Sequence, residues 1–479
     1  MSYCVHIGLE IHVHLNTNTK MFCGCRAQFG EEANAYICPV CMGLPGTLPV
    51  PNKEAIVKAI QIIDSLQCKL AETLVFDRKN YFYPDMPKNY QISQYRQPVG
   101  GEGKFSYYYA GELRHIAIRE LHLEEDAGKL VHAESESYVD YNRAGYPLVE
   151  IVTQPELRSP EETEAMIRQF HKTIQYLDVS DATMEEGSFR CDANISLSKD
   201  AKTLGAKVEI KNLNSFHFVK KALLFEIERQ TELLNEGMPV KLETRLWNAN
   251  KDITEGMRSK EEVHDYRYFQ EPDIPEVSIS QDVIKAAKEK KLVLPVSRLV
   301  DLLEQYRLSE QVAMIFVDEK EFGDMFYRLC ESGLEAQAVA QWLAGDLRGS
   351  LSVVGSTLGD VPIRFEDLKE FFELLQEELI SGRKAKQLIH AMTEGKGSPR
   401  NILKAEGWTL ITDEVSIKTM AEEVCDTNPT IIEQIKSGSA KGVDFLMGAL
   451  MRLSKGQIQP QRGKEILQRV VDERTENSR

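Results

Sequence analysis

No apolar run in this 479-residue chain approaches the ~20 residues that span a bilayer, and no basic segment leads into an apolar one at the start. Those absences speak against a membrane helix and a secretory signal, and they predict a cytoplasmic protein with no membrane among its partners. Three phosphate-binding signatures are also missing: GxxxxGKS/T, GxGxxG and HRD. A P-loop NTPase, a Rossmann dinucleotide site and a protein-kinase loop are thereby excluded, so any nucleotide site is of an unusual type. Basic charge is in deficit too. Lys and Arg number 58 against 74 Asp and Glu, a net charge of −16, which rules out a surface uniformly attractive to nucleic acid. The deficit is uneven: residues 381–479 carry 16 basic and 13 acidic side chains, a net of +3, and the rest of the chain carries −19. RNA contact is expected in that C-terminal part, where Arg383, Lys384, Lys386, Lys396, Arg400 and Lys404 cluster.

What remains is a globular composition, 42% hydrophobic and 28% charged, long enough for about three domains at roughly 150 residues each. Short period-two runs separated by Gly, Pro, Asn and Tyr fill residues 1–290. Helical periodicity fills 291–405, in stripes such as Leu299, Leu302, Leu303 and Tyr306, and Leu368, Phe371, Phe372, Leu375 and Leu379. A breaker cluster at 394–399 predicts a hinge, followed by a small helical tail over 406–479. The expected fold class is α+β: a large, mostly antiparallel sheet domain, a helical domain and a helical tail.

Nine cysteines in a cytoplasmic chain disfavour disulfides. Four of them, Cys23, Cys25, Cys38 and Cys41, form two tight pairs whose thiolates suit a closed, structural Zn²⁺ site. Four strands carry chemistry on one face. Val5, Ile7, Leu9, Ile11, Val13 and Leu15 alternate with His6, Gly8, Glu10, His12 and His14, so Glu10, His12 and His14 share a face beside a glycine. Glu124, Glu125 and Asp126 end a second strand, and Glu150 interrupts an apolar third. Arg190, Asp192, Asn194 and Ser196 alternate along a fourth. Oxygen-rich ligands with one or two imidazoles suit Mg²⁺, and Mg²⁺ with carboxylates implies phosphates. Lys79 and Lys88 lie in a proline-stiffened, tyrosine-rich loop that would set lysines against phosphate.

These segments resemble a known family. IGLEIHV (7–13), CPVCMGLPGTLPV (38–50), RKNYFYPDMPKNYQISQ (78–94), LEEDAGKL (123–130), DYNRAGYPLVEI (140–151), EEGSFRCDANIS (185–196), EIKNLNSF (209–216) and MRSKEEVHDYRYF (257–269) are similar, in order, to the B subunit of bacterial glutamyl-tRNA(Gln)/aspartyl-tRNA(Asn) amidotransferases. Gly438, Lys441, Gly442, Lys455, Gly456 and Pro460 resemble its small helical tail. His14 stands where the family usually carries Gln, Tyr146 where it carries a small aliphatic, and Gln270 where Pro is common.

The resemblance implies a cradle-shaped N-terminal domain that uses ATP and Mg²⁺ to phosphorylate the side-chain carboxylate of tRNA-linked Glu or Asp. Ammonia then displaces the phosphate, tunnelled from an amidase (glutaminase) A subunit, with a small C subunit clamping the pair. By matched position, Glu10, His12, Glu125 and Glu150 hold Mg²⁺, and Lys79 and Lys88 hold phosphate or acyl-phosphate oxygens. Arg190, Asp192 and Asn194 line the pocket, with Asp192 ordering ammonia. The tail would bind misacylated tRNA(Gln) or tRNA(Asn). No glycine/serine-rich amidase signature occurs, so glutaminase activity belongs to a partner. Two other readings stay open: a non-catalytic tRNA-binding scaffold, and a zinc-ribbon nucleic-acid module.

Overall fold

Alternating apolar side chains make the first strand a natural centre for a sheet with one dry face. In the computed structural model, that strand has sheet partners on both sides. The structure describes residues 3–28, 32–133, 136–257, 266–289, 293–377, 379–380, 382–408, 411, 413–436 and 441–476. Residues 258–265 of the matched 257–269 segment, and Gly438 of the tail pattern, lie outside the described residues.

Contacts divide the chain into two units, Met1–Arg298 and Leu299–Arg479. The strands of the first unit begin with β1 (Cys4–His14), β2 (Lys69–Leu70), β3 (Thr73–Leu74), β4 (Asp77–Asn80), β5 (Tyr90–Ser93), β6 (Gly100–Tyr109), β7 (Glu112–Glu125) and β8 (Lys129–His132). They continue with β9 (Ser137–Asp140), β10 (Pro147–Thr153), β11 (Phe189–Ser198), β12 (Val208–Lys211), β13 (Glu243–Asn248), β14 (Ile253–Gly256), β15 (Phe269–Gln270) and β16 (Val277–Ser278). The main sheet runs β14-β13-β12-β11-β1-β10-β7-β6-β2. It is antiparallel except for the β12–β13 pair. The small sheet β15-β4-β5 carries the lysine loop.

Three helices cover the dry face: α1 (Lys53–Ser65), α2 (Pro160–Leu177) and α3 (Phe216–Asn235). Each starts at a side-chain cap, Asn52, Ser159 and Ser215, whose oxygen accepts a first-turn N–H. Ile60, Ile63, Ile167, Phe170 and Leu223 from these helices join Ile7, Leu9, Ile11 and Val13 in one buried cluster. Each such side chain contributes roughly 1.5–3 kcal/mol by leaving water. The apolar face thus holds the sheet rigid, and the polar face is left for chemistry.

The α+β class holds, with helices making up the second unit. Leu368, Phe371 and Phe372 are buried on helix Phe365–Gln376 as their spacing predicts, but the helix ends before Leu379. Tyr306 likewise falls beyond helix Pro295–Glu304. Periodicity carries no stop signal, and neither stripe ends in glycine. The breaker cluster forms the turn between helices Gly382–Thr393 and Pro399–Glu406, with Gly397 at φ 118°. Within the tail, Ile417, Ala421, Leu446, Leu450, Leu467 and Val471 form a separate buried cluster.

Candidate functional site

Register assembles the polar face. On β1, His12 stands opposite Arg190 of β11 on one side and Glu150 of β10 on the other. Glu150 in turn faces His122 of β7. One row over, Glu10 faces Asp192. The ligand atoms of Glu10, His12 and Glu150 lie within 4.8 Å of one another. His12 Nε2 is 3.4 Å from Glu150 Oε2 and 3.7 Å from Glu10 Oε1.

The electrostatics of this trio are strained. Burial disfavours the His12 imidazolium, but the hydrogen bond to Glu150 and the charges of Glu150 and Glu10 outweigh it and lift its pKa to about 9. Burial pushes Glu150 up, yet His12, His122 and Lys79 draw it down to about 2. Glu10 is raised by burial and then by Glu150. Glu124, also buried, is pushed up to about 7 by burial and by Glu150. Too much negative charge shares too little water. Two carboxylates and an imidazole converging in this way fit a hard divalent cation.

Glu125 is not brought into this group. Its carboxylate pairs with Lys88 and accepts from Ile92 N at 3.0 Å. Parity explains the difference: Leu121 and Leu123 point to the dry face, so Glu124, not Glu125, continues the polar row of Glu120 and His122. Lys88 is occupied by that ion pair, and its stem packs so closely on Gly43 that a Cβ there would sit 2.5 Å from Cγ.

Lys79 on β4 is within electrostatic reach of the acids: burial opposes its charge, but Tyr268, Glu124 and Glu150 outweigh it and raise its pKa. Its ammonium lies 4.9 Å from the Tyr266 ring. Lys79, Asn80, Tyr81, Phe82, Tyr83 and Tyr266 border a cavity of about 500 Å³. Hydrogen bonds from Ser93 Oγ to Glu124 (2.8 Å) and from Gln91 Nε2 to the Glu125 carbonyl (2.7 Å) tie this small sheet to β7.

Asp192 accepts from Lys211 Nζ at 2.6 Å, and the same ammonium lies 3.0 Å from Glu209. Asn194 faces Gly8, and its Oδ1 is buried with no hydrogen-bond partner among the described residues. Arg190 donates to Asp126 at 2.9 Å. Glu124 stood outside the expected ligand set, and His122 and Lys211 were not singled out from sequence. The parity set by Leu121 and Leu123, which bury on the dry face, places Glu124 and His122 on the opposite one. His14 and Tyr146, two of the departures from the family pattern, stack on one another at 5.0 Å.

The four thiols form the second convergent group, again within 4.8 Å. Cys41 is the thiol drawn down, to about 5, by a hydrogen bond from Cys23 and the Lys20 charge against burial. Four sulfurs at this spacing suit a soft tetrahedral ion.

Residues 5–285 match the GatB/GatE catalytic domain, and residues 324–471 match the GatB domain. The chain belongs to the GatB family. It is 42% identical to the B subunit of the aspartyl/glutamyl-tRNA(Asn/Gln) amidotransferase of Carboxydothermus hydrogenoformans, over 96% of this chain and 97% of that one. Identity to the second-numbered B subunit of the Clostridium acetobutylicum amidotransferase is 40%, over 99% and 100% of the two chains. The B subunit of the Brevibacillus brevis amidotransferase is 41% identical over 97% and 98%. In this GatB-family chain the cysteine knuckle is one part of the catalytic-domain match, so a free-standing zinc-ribbon module does not describe it.

Proposed function

We propose that this GatB-family chain activates the side-chain carboxylate of Glu-tRNA(Gln), Asp-tRNA(Asn) or both at the expense of ATP. A carboxylate oxygen attacks the γ-phosphorus and ADP leaves. Ammonia then attacks the acyl carbon, and phosphate departs with the C–O bond electrons. An amidase A subunit supplies the ammonia, and a small C subunit completes the complex. The observation that carries this reading is the convergence of Glu10, His12 and Glu150 on a polar sheet face, with Lys79 within electrostatic reach of Glu150.

Bringing one anion to another is the difficulty, so positioning and positive charge do the catalysis. Glu10, His12 and Glu150 would hold Mg²⁺, which when bound shields the phosphates. Lys79 supplies a fixed cation at the mouth of the aromatic cavity. Asp192, held by Lys211, offers a carboxylate oxygen to order ammonia, and Arg190 and Asn194 line the approach. The Lys88–Glu125 pair stands beside this set, each neutralising the other. Cys23, Cys25, Cys38 and Cys41 would hold a structural Zn²⁺ with no open position for substrate. The test is direct. The complex of the three subunits is incubated with each misacylated tRNA, ATP and ammonium. Amidated tRNA should form with ADP in equal amount; amidation without ATP consumption would overturn the reading in favour of a scaffold.

A further inference from the structure

Asp126 lies just beyond β7 with 5% of its surface exposed, and it gathers side chains from three remote segments. Its Oδ2 accepts from His14 Nε2 at 2.6 Å and from Arg190 Nη2 at 2.9 Å, and lies 3.4 Å from Arg143 Nε. Its Oδ1 accepts from Ala127 N at 2.9 Å. Arg143 also donates to the carbonyls of Ala127 (3.0 Å) and Gly128 (2.8 Å), so its fork is held in place. One carboxylate against two guanidinium groups leaves at least one positive charge, whatever the state of His14.

Both arginines border a cavity of about 710 Å³, with Lys129 adding a third cation and Asp140, Glu185 and Glu186 also on its border. The Arg190 side chain is 36% exposed. Its Nε is buried with no hydrogen-bond partner among the described residues. Because Arg190 faces His12 across the β1–β11 ladder, this wall stands beside the metal-ligating trio.

We propose that Asp126 is a positioning residue that fixes Arg190 and Arg143 as an oxyanion wall of this cavity, where a substrate phosphate binds. The phosphate belongs either to the nucleotide or to the phosphodiester chain at the tRNA 3′ end. Pre-aimed guanidinium forks suit phosphate, and a carboxylate that immobilises them removes the cost of ordering them on binding. The inference rests on the carboxylate-activating reading above. Ammonium-supported activity of the unaltered three-subunit complex is therefore measured first: its absence fails that reading and this proposal with it, whereas the substitutions at Asp126 and Arg190 can fail this proposal alone.

With activity established, Asp126→Asn keeps the side chain's size and removes its charge. It should raise KM for ATP or for the misacylated tRNA about tenfold, with kcat changed far less, and the substrate affected identifies the source of the phosphate. Inhibition by inorganic phosphate should weaken by a similar factor. In an Arg190→Met background the same change should add much less to KM, the remainder acting through Arg143, although any loss of thermal stability would persist. Asp126→Glu should recover part of the effect. Unchanged KM for both substrates, or an undiminished effect without Arg190, would overturn the proposal. If Asp126→Asn fails to fold, Arg190→Lys decides: it keeps the charge, loses the fork, and must still raise KM.

Discussion

Two buried acidic clusters in the same unit meet opposite fates. Glu226 on α3 is fully buried, and its oxygens accept from Arg229 (2.9 and 3.0 Å), Gln230 (3.0 Å) and Thr254 (2.5 Å), with Arg245 at 3.1 Å. Burial pushes its pKa up, but the hydrogen bonds from Arg229, Thr254 and Gln230 prevail and hold it below the usual carboxylate range. On the polar face, Glu10 and Glu124 are instead driven up by burial and by the charge of Glu150. The same residue type buried in the same domain is satisfied in one place and frustrated in the other. The satisfied cluster pins a helix to β13 and to the edge strand β14. The frustrated one holds repulsion that a divalent cation would relieve, as at sites where function is bought with stability.

Substitutions should separate the two. The largest effect belongs to Glu150→Ala, which removes the one carboxylate that both imidazoles face. Ammonium-supported transamidation by the complex should fall roughly 10³-fold, while zinc content and tRNA binding stay as they were. Activity within tenfold of the parent would remove Glu150 from the site. Glu226→Ala should do the converse. It leaves Arg229 and Arg245 facing a hole and should cost about 3 kcal/mol in urea unfolding, with KM for ATP unchanged. A smaller effect is expected at the thiols. Cys41→Ser should abolish stoichiometric zinc and cost about 2 kcal/mol, while Mg²⁺-dependent ATP binding persists, because the trio is built by strand register rather than by the knuckle.

That contrast also marks what the sequence could reveal. The cysteine set was legible because all four thiols fall between residues 23 and 41, and spacing alone brings them together. The polar row of β1 was legible because period two is enforced by five apolar neighbours. Which remote groups would meet it was a matter of register, and register depends on turns and on bulges such as the one at Val152/Thr153. Hence the Lys211–Asp192 pair went unread; Glu125 was expected where Glu124 stands for a different reason, the parity that Leu121 and Leu123 set within one strand. Glu226 was invisible for another reason. Its helix reads as an ordinary amphipathic one, and the strands that bury it lie further along the chain, through Thr254. Helix ends such as that before Leu379 were lost because hydrophobic spacing continues past the last hydrogen-bonded turn.

The last separation is one of slope. The folded-state pKa of Glu124 lies near 7, above the 4.5 of the unexceptional carboxyl. Between those values the folded chain keeps a proton that the unfolded chain has released. The stability tied to this group is therefore complete below pH 4.5 and is lost as the pH rises through about 7. Glu226 works the other way: its pKa is depressed, so its contribution is present above 4.5 and is lost as the pH falls. Glu124→Gln should thus gain about 1–2 kcal/mol near pH 8 and flatten the decline between 4.5 and 7, at the expense of activity. Glu226→Gln should instead erase part of the acid limb and gain nothing at high pH. Unfolding free energies from about pH 4 to pH 8 measure both slopes. A Glu124→Gln chain less stable than its parent at the alkaline end would mean that the carboxylates of the polar face do not repel one another in the folded chain. The distinction between a satisfied and a frustrated cluster would then collapse.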